Sequence, residues 1–308
     1  MDNTRKKALL AALIGNSIFG FSFLFSKIAL DITSPSVLVA VRFLTAFLVL
    51  NIFVLVGSRI KRSDGRALME FSLKRKPVKY LILLAIFQPV IYFLAESYGI
   101  KYTSSAFAGT IISIIPLVGI VLDVAIMHIK VTKVQIMCAL GSIVGVAITT
   151  IGAEEMESSW FGVIMLLIAV CSGALFYVFS KKASEYYNAI ERTYAMFAIA
   201  SVVFGGIALA ECRSDYRTML LDPLMNTAFW GAILYLAVFS SVAAFVILNY
   251  ASTYISVSEA SIFANLTTVI SIVAGVLILK ENFTMQQVIG AVIIIISVYV
   301  SSRVNTKE

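Results

Sequence analysis

Gln88, Tyr92, Glu96 and Gly99 are spaced four, four and three apart inside a long apolar run. On a helix this spacing lines an amide, a phenol and a carboxyl along one stripe. Two chemistries are open to the carboxyl. Buried, Glu96 is a proton carrier or a counter-ion for an amine; at headgroup level it pairs with Lys101 or Lys27. Arg42, inside another apolar run, has three readings: a partner for an acid such as Glu96, a cation snorkelling to the interface, or a holder of a substrate carboxylate. Asp123 with His128 reads as a gate or relay, or as solvated helix-end charge.

Ala106, Gly109, Ser113 and Pro116 form a small-residue stripe, and Ser258, Ser261, Asn265 and Thr268 form a second one. Such stripes serve helix packing or line a cavity, because small residues let backbones approach and Ser, Thr or Asn bond across the contact. The full amide of Asn265 favours the cavity, since burying it unbonded is costly. Phe19 and Phe23 lie on the Ser22/Ser26 side of the first apolar run, and Tyr92 and Tyr177 carry rings that can stack on a cationic or aromatic group. Gly141 and Gly145 suit a close packing or dimer contact. The candidate substrate-binding set is Phe19, Ser22, Gln88, Tyr92, Glu96, Ser113, Tyr177 and Asn265, with Glu96 the candidate for proton coupling.

Other chemistries find no footing. His128 is the single histidine, and Cys138, Cys171 and Cys212 form an odd, unpatterned set, so neither a metal site nor a disulfide framework is implied. No Gly-rich phosphate loop, nucleophile–base arrangement or pair of carboxylates at catalytic spacing is visible, so the chain reads as a non-enzyme without a cofactor and without direct ATP drive.

The elements that position these residues follow from composition. The chain is 60% hydrophobic and 13% charged over 308 residues, about half the charge of a soluble domain. Uncharged runs long enough to cross a bilayer recur, each in the range of roughly 17–25 residues that a crossing needs. Their spacing predicts an all-α polytopic membrane protein with ten transmembrane helices, near 8–29, 35–57, 79–99, 103–127, 133–152, 159–181, 192–211, 227–249, 257–279 and 284–303. A barrel would alternate apolar and polar residues instead. The net charge of +7 is an orientation signal, not a nucleic-acid footprint. Eighteen of the 24 Lys and Arg fall in loops on one side, five on the other, and Arg42 lies within a span. By the positive-inside rule both termini are cytoplasmic. The opposite side carries Glu154, Glu155, Glu157, Glu211, Asp215 and Asp222. An inner (cell) membrane location in a bacterium is expected.

The chain also repeats itself. Leu24-Phe25-Ser26-Lys27 returns as Val178-Phe179-Ser180-Lys181, and Tyr98, Tyr102, Thr132 and Gln135 coincide with Tyr250, Tyr254, Thr284 and Gln287 at one constant offset. Five crossings per copy place the copies upside down, so residues 1–152 and 153–308 are expected to be inverted five-helix repeats. At that offset Leu248 stands opposite Glu96, which makes any site there asymmetric.

The residues resemble EamA-type members of the drug/metabolite transporter superfamily. Ile18-Phe19-Gly20, Lys27-Ile28-Ala29, Pro35 and Arg42-Phe43-Leu44-Thr45-Ala46 look like the family's first two helices. Tyr102-Thr103-Ser104-Ser105-Ala106 with Pro116-Leu117, and Leu279-Lys280-Glu281 with Thr284, Gln287 and Gly290, look like two of its junctions. Phe19 stands where Trp is usual, Ile129 replaces the acid of the first copy's junction, and Thr268 replaces a Pro. The resemblance implies alternating access around a cavity lined by helices one, three, four, six, eight and nine, a structural role for Arg42, and substrates ranging over amino acids, other metabolites, nucleotide sugars, amines and drugs. The reading is a transporter of a small polar metabolite, an amino acid or relative moved outward, as monomer or homodimer, with protons as a candidate coupling ion. Amine, drug or nucleotide-sugar transport, and a non-transport role such as lipid scrambling, are the alternatives, since fold does not fix function.

Overall fold

A computed structural model describes residues 3–59, 77–115, 117–119, 121–122, 132–151, 160–254 and 257–303. Among these residues no strand occurs, and the chain runs as successive helices. They are α1 (Asn3–Leu30), α2 (Pro35–Arg59), α3 (Lys79–Lys101), α4 (Ser105–Ile112), α5 (Lys133–Ile151), α6 (Trp160–Ser184), α7 (Ala189–Glu211), α8 (Thr227–Tyr254), α9 (Val257–Leu277) and α10 (Met285–Arg303). Arg217–Leu221 and Asp222–Met225 add short turns before α8. Six helices are long and apolar enough to cross a membrane, and Ser105–Gly119, Lys133–Thr149, Leu266–Leu277 and Met285–Ser297 are shorter apolar stretches. Large apolar side chains such as Leu48, Ile52, Met137 and Ile143 point outward. With polar Ser, Thr, Arg and Glu inside, this is the arrangement that lipid as solvent selects. The protein is a polytopic helical membrane protein.

Local chemistry sets the helix starts. Asn188 and Glu191 form a capping box at α7. Thr132 and Gln135 exchange bonds of 2.9 and 3.3 Å at α5, and Thr284 and Gln287 do the same at 2.8 and 3.3 Å at α10. Each pair satisfies backbone N–H groups that a helix start leaves without partners.

Two helices are irregular within their length. In α3 the segment Ile86–Ile91 widens to π geometry around Gln88, whose φ and ψ are −144° and 119°, followed by Pro89. In α8 the segment Tyr235–Ala243 widens in the same way, without a proline. Both lie at corresponding positions under the sequence offset, which sets Gln88 opposite Ser240.

Packing is closest where glycines meet. A Cβ on Gly145 would sit 2.9 Å from the Gly290 carbonyl, so the α5 and α10 backbones touch, and Gly141 meets Ser297 along the same line. The Gly141/Gly145 pair therefore serves an internal contact. α2 packs on α7 through Phe43 against Phe197 and Phe204, with Ser201 donating to the Phe43 carbonyl at 3.0 Å and Tyr194 to Asn51 Oδ1 at 2.8 Å. α1 meets α9 where Thr267 donates to the Asn16 carbonyl at 3.0 Å.

One end of the bundle gathers the α1–α2, α3–α4 and α9–α10 connections. There Lys101 donates to the carbonyls of Leu30 and Thr33 at 3.1 and 3.0 Å, Ser36 bonds Glu211, and Glu281 bonds the start of α4. The basic 60–76 connection, the acidic Glu154–Glu157 stretch, Pro116, Asp123, His128 and Ile129 lie outside the described residues.

Candidate functional site

Arg42 enters the bundle seven residues from the start of α2, and Glu96 lies five from the end of α3. At the helical rise both sit roughly 8–10 Å in from the same end. Each is buried, at 1% and 4% exposure. Arg42 therefore does not snorkel. Its Nε donates to Ser241 Oγ and its Nη2 to Ser240 Oγ, both at 3.0 Å. Its guanidinium lies over the Phe93 ring, 4.4 Å from the centroid, a stacking geometry that suits a weakly hydrated planar cation. The two serines are fully buried in the widened turn of α8. They account for two of the five N–H groups of Arg42.

Glu96 accepts a hydrogen bond from Tyr92 across one helical turn at 3.0 Å. Lys101 is committed to helix-end carbonyls and Lys27 lies 3.6 Å from Asp31, so the structure gives Glu96 neither of the headgroup-level partners considered above. Arg42 and Glu96 carry opposite formal charges, yet among the described residues they form no ion pair within 4.0 Å. No described residue bonds Nη1 of Arg42 or the second carboxylate oxygen of Glu96. Opposite charges in a low-dielectric interior attract strongly, so two poles held apart with donors and acceptors to spare suit a polar guest.

Aromatic rings wall this region. Phe245 of α8 lies 5.5 Å from Phe19, 6.2 Å from Phe93, 6.5 Å from Phe176 and 5.8 Å from Phe197, joining α1, α3, α6 and α7. Tyr92 is edge-on to Phe93 at 4.9 Å, and a Cβ on Gly173 of α6 would come within 3.2 Å of the Tyr92 ring. Tyr235 stacks on Phe25 at 4.0 Å and donates to the Ile18 carbonyl at 3.0 Å.

The remaining candidates fall around this centre. Ser22 is buried and donates to the Phe19 carbonyl at 2.7 Å, so its proton is committed within α1 and its lone pairs are left to accept. Ser113 is likewise buried, donating to the Thr110 carbonyl at 2.6 Å. Gln88 is half-buried at the break in α3, and its amide makes no hydrogen bond among the described residues. The side chains of Tyr177, Asn265, Ser258 and Ser261 lie outside the described residues. The two small-residue stripes meet at Gly109, whose carbonyl accepts from Thr268 at 3.2 Å, so this part of both is helix packing. The partnership of Arg42 with Ser240 and Ser241 had no local signal, because the residues lie 198 and 199 positions apart.

Comparison with known proteins bears on what this geometry is for. The model of the EamA-like transporter family matches the chain twice, over residues 6–151 and 160–303. The chain is 30% identical over 98% of its length to the uncharacterized transporter YcxC of Bacillus subtilis, covering 94% of that protein. It is 24% identical over 93% of its length to an uncharacterized transporter of Archaeoglobus fulgidus, covering 95% of it. The WAT1-related protein At3g02690 of Arabidopsis thaliana is 24% identical over 91% of this chain and 66% of that protein. A crystal structure 16% identical in sequence superposes with a TM-score of 0.62 over 96% of each chain, a likeness of fold.

Proposed function

The chain belongs to the EamA-like transporter family, and from that premise we propose that it moves a small polar metabolite, an amino acid or close relative, outward across a bacterial cell membrane. The helices form ten crossings in two inverted repeats, residues 1–152 and 153–308, with both termini cytoplasmic and the Glu281 end outside. Support comes from the family model matching twice, the paired widened turns of α3 and α8 and the identical capping boxes of α5 and α10. The repeats rock about a central site, exposing it to each side in turn. Beside Arg42, the substrate contacts are drawn from Phe19, Ser22, Gln88, Tyr92, Glu96, Ser113, Tyr177 and Asn265, with Glu96 also the proton-coupling candidate.

One observation carries the substrate reading: Arg42 and Glu96 are buried at matched depth with opposite charge, no direct ion pair and unused bonding capacity. A zwitterion satisfies both poles, its carboxylate toward Arg42 and its ammonium toward Glu96. The Tyr92 ring, whose hydroxyl bonds Glu96, and the Phe93 ring beside it favour a second reading, an organic amine held by Glu96 and cation–π contacts alone.

Counterflow in proteoliposomes separates the two. Alanine, leucine and phenylalanine are compared with their decarboxylated amines and their deaminated acids. The first reading expects exchange of at least one amino acid, with its amine and acid at least about tenfold weaker, the loss of one charge-assisted contact. Glu96→Gln lowers amino-acid exchange by a similar factor. Equal exchange of amine and amino acid selects the second reading, and wild-type exchange by Glu96→Gln removes Glu96 from the site.

A further inference from the structure

The first N–H groups of a helix are ordinarily capped by their own neighbourhood. α4 departs from this. Its N-cap Ser104 accepts from Phe107 N at 3.1 Å, but the two preceding amides turn to a distant residue. Glu281 accepts from Ser105 N at 2.9 Å and from Ala106 N at 3.0 Å, and also from Ser105 Oγ at 3.0 Å. The partners are 175 and 176 positions apart in sequence. The anion therefore sits on the positive end of a helix that belongs to the other proposed half.

The α9–α10 connection is shaped to deliver it. Leu279 N bonds the Ala274 carbonyl at 3.3 Å, Lys280 turns left-handed at φ 56°, and Glu281 N returns to the Gly275 carbonyl at 3.1 Å. A residue other than glycine rarely takes that conformation. Gly275 has no room for a side chain, since a Cβ would lie 2.8 Å from Ser105 Oγ and 3.1 Å from Ala106 Cβ. One turn deeper, Gly109 abuts Ser271 and accepts from Thr268. The seam between α4 and α9 is thus shut from Ser105 to Gly109, the first turn of α4, and Arg42 and Glu96 lie just deeper, roughly 8–10 Å in from the same end.

We propose that Glu281 is the latch of the gate at this end of the protein: it holds the α4–α9 seam closed, and opening hands the Ser105 and Ala106 amides to water. The proposal rests on the alternating-access reading. Solvated amides replace the latch without a large net loss, because folding contacts of this kind exchange with water. The gate is charged at one end only, since the residue at the corresponding position of the first copy is Ile129.

The test needs no substrate. In a background with Cys138, Cys171 and Cys212 changed to Ser, a reporter Ser113→Cys lies one turn beneath the closed seam. A membrane-impermeant methanethiosulfonate is added to either face of sealed vesicles. Glu281→Gln raises the labelling rate from the outer face about tenfold, as expected for loss of a charged acceptor. Ser105→Ala, which removes one of three donors and leaves the helix amides, raises it less and carries the test if Glu281→Gln fails to insert. Labelling from the inner face alone, unchanged from the outer face in both variants, overturns the latch and leaves transport standing. No labelling from either face in any variant overturns both.

Discussion

The third and eighth helices correspond in sequence and share a widened turn, yet they carry different chemistry. α3 offers Gln88, Tyr92 and Glu96; at the corresponding places α8 offers Ser240, Ala244 and Leu248. One helix supplies a carboxyl braced by its own tyrosine. The other supplies two hydroxyls that seat a guanidinium arriving from α2. Corresponding stretches of sequence are thus filled asymmetrically, with the negative pole on α3 and the cradle for the positive pole on α8. The irregular turns fall at matched positions, and the residues within them decide what each can hold.

Removing the positive pole breaks this comparison most severely. Arg42→Ala leaves Ser240 and Ser241 without their partner and Glu96 without the nearby cation, and should cost about 3–5 kcal/mol in a reversible unfolding assay in detergent, the range for breaking a buried charge network. A loss under about 1 kcal/mol would show that the cradle contributes little. The serines sharpen the picture: Ser240→Ala and Ser241→Ala should each cost about 1–3 kcal/mol, as for a buried donor left unpaired. A double-mutant cycle with Arg42→Ala should then find coupling, because all three residues share one network. Additive losses would argue that the hydroxyls act elsewhere.

The smallest effect is a control for symmetry. Gln135→Ala and Gln287→Ala remove the same capping bond from α5 and α10. Both should cost roughly 0.5–1 kcal/mol by the same unfolding assay. A clear inequality would mean that the two copies diverge in their scaffold as well as in their site.

Much of this was legible from residue order. Apolar runs marked the helices, and the four-residue spacing put Tyr92 and Glu96 on one stripe, where they bond; Thr132/Gln135 and Thr284/Gln287 stood out as matching pairs, and the structure shows them capping two helices. The irregularity in α3 went unread although Pro89 was a signal that could have found it, whereas Tyr235–Ala243 carries neither proline nor glycine and gave no warning. The contacts of Arg42 with Ser240 and Ser241, and of Glu281 with α4, were not legible at all. Helices that are apolar all round have no polar side to reveal which face turns inward, and these bonds join residues well over a hundred positions apart.

The meeting of Gly145 with Gly290 has a mechanical consequence. Two main chains in direct touch cannot slide by a turn without carrying the Thr149 hydroxyl, which rests against Gly290, onto Gln286 or Ile294. α5 and α10 therefore hold together as one rigid pair, and a rotation about that line disturbs their contact less than a slide along it.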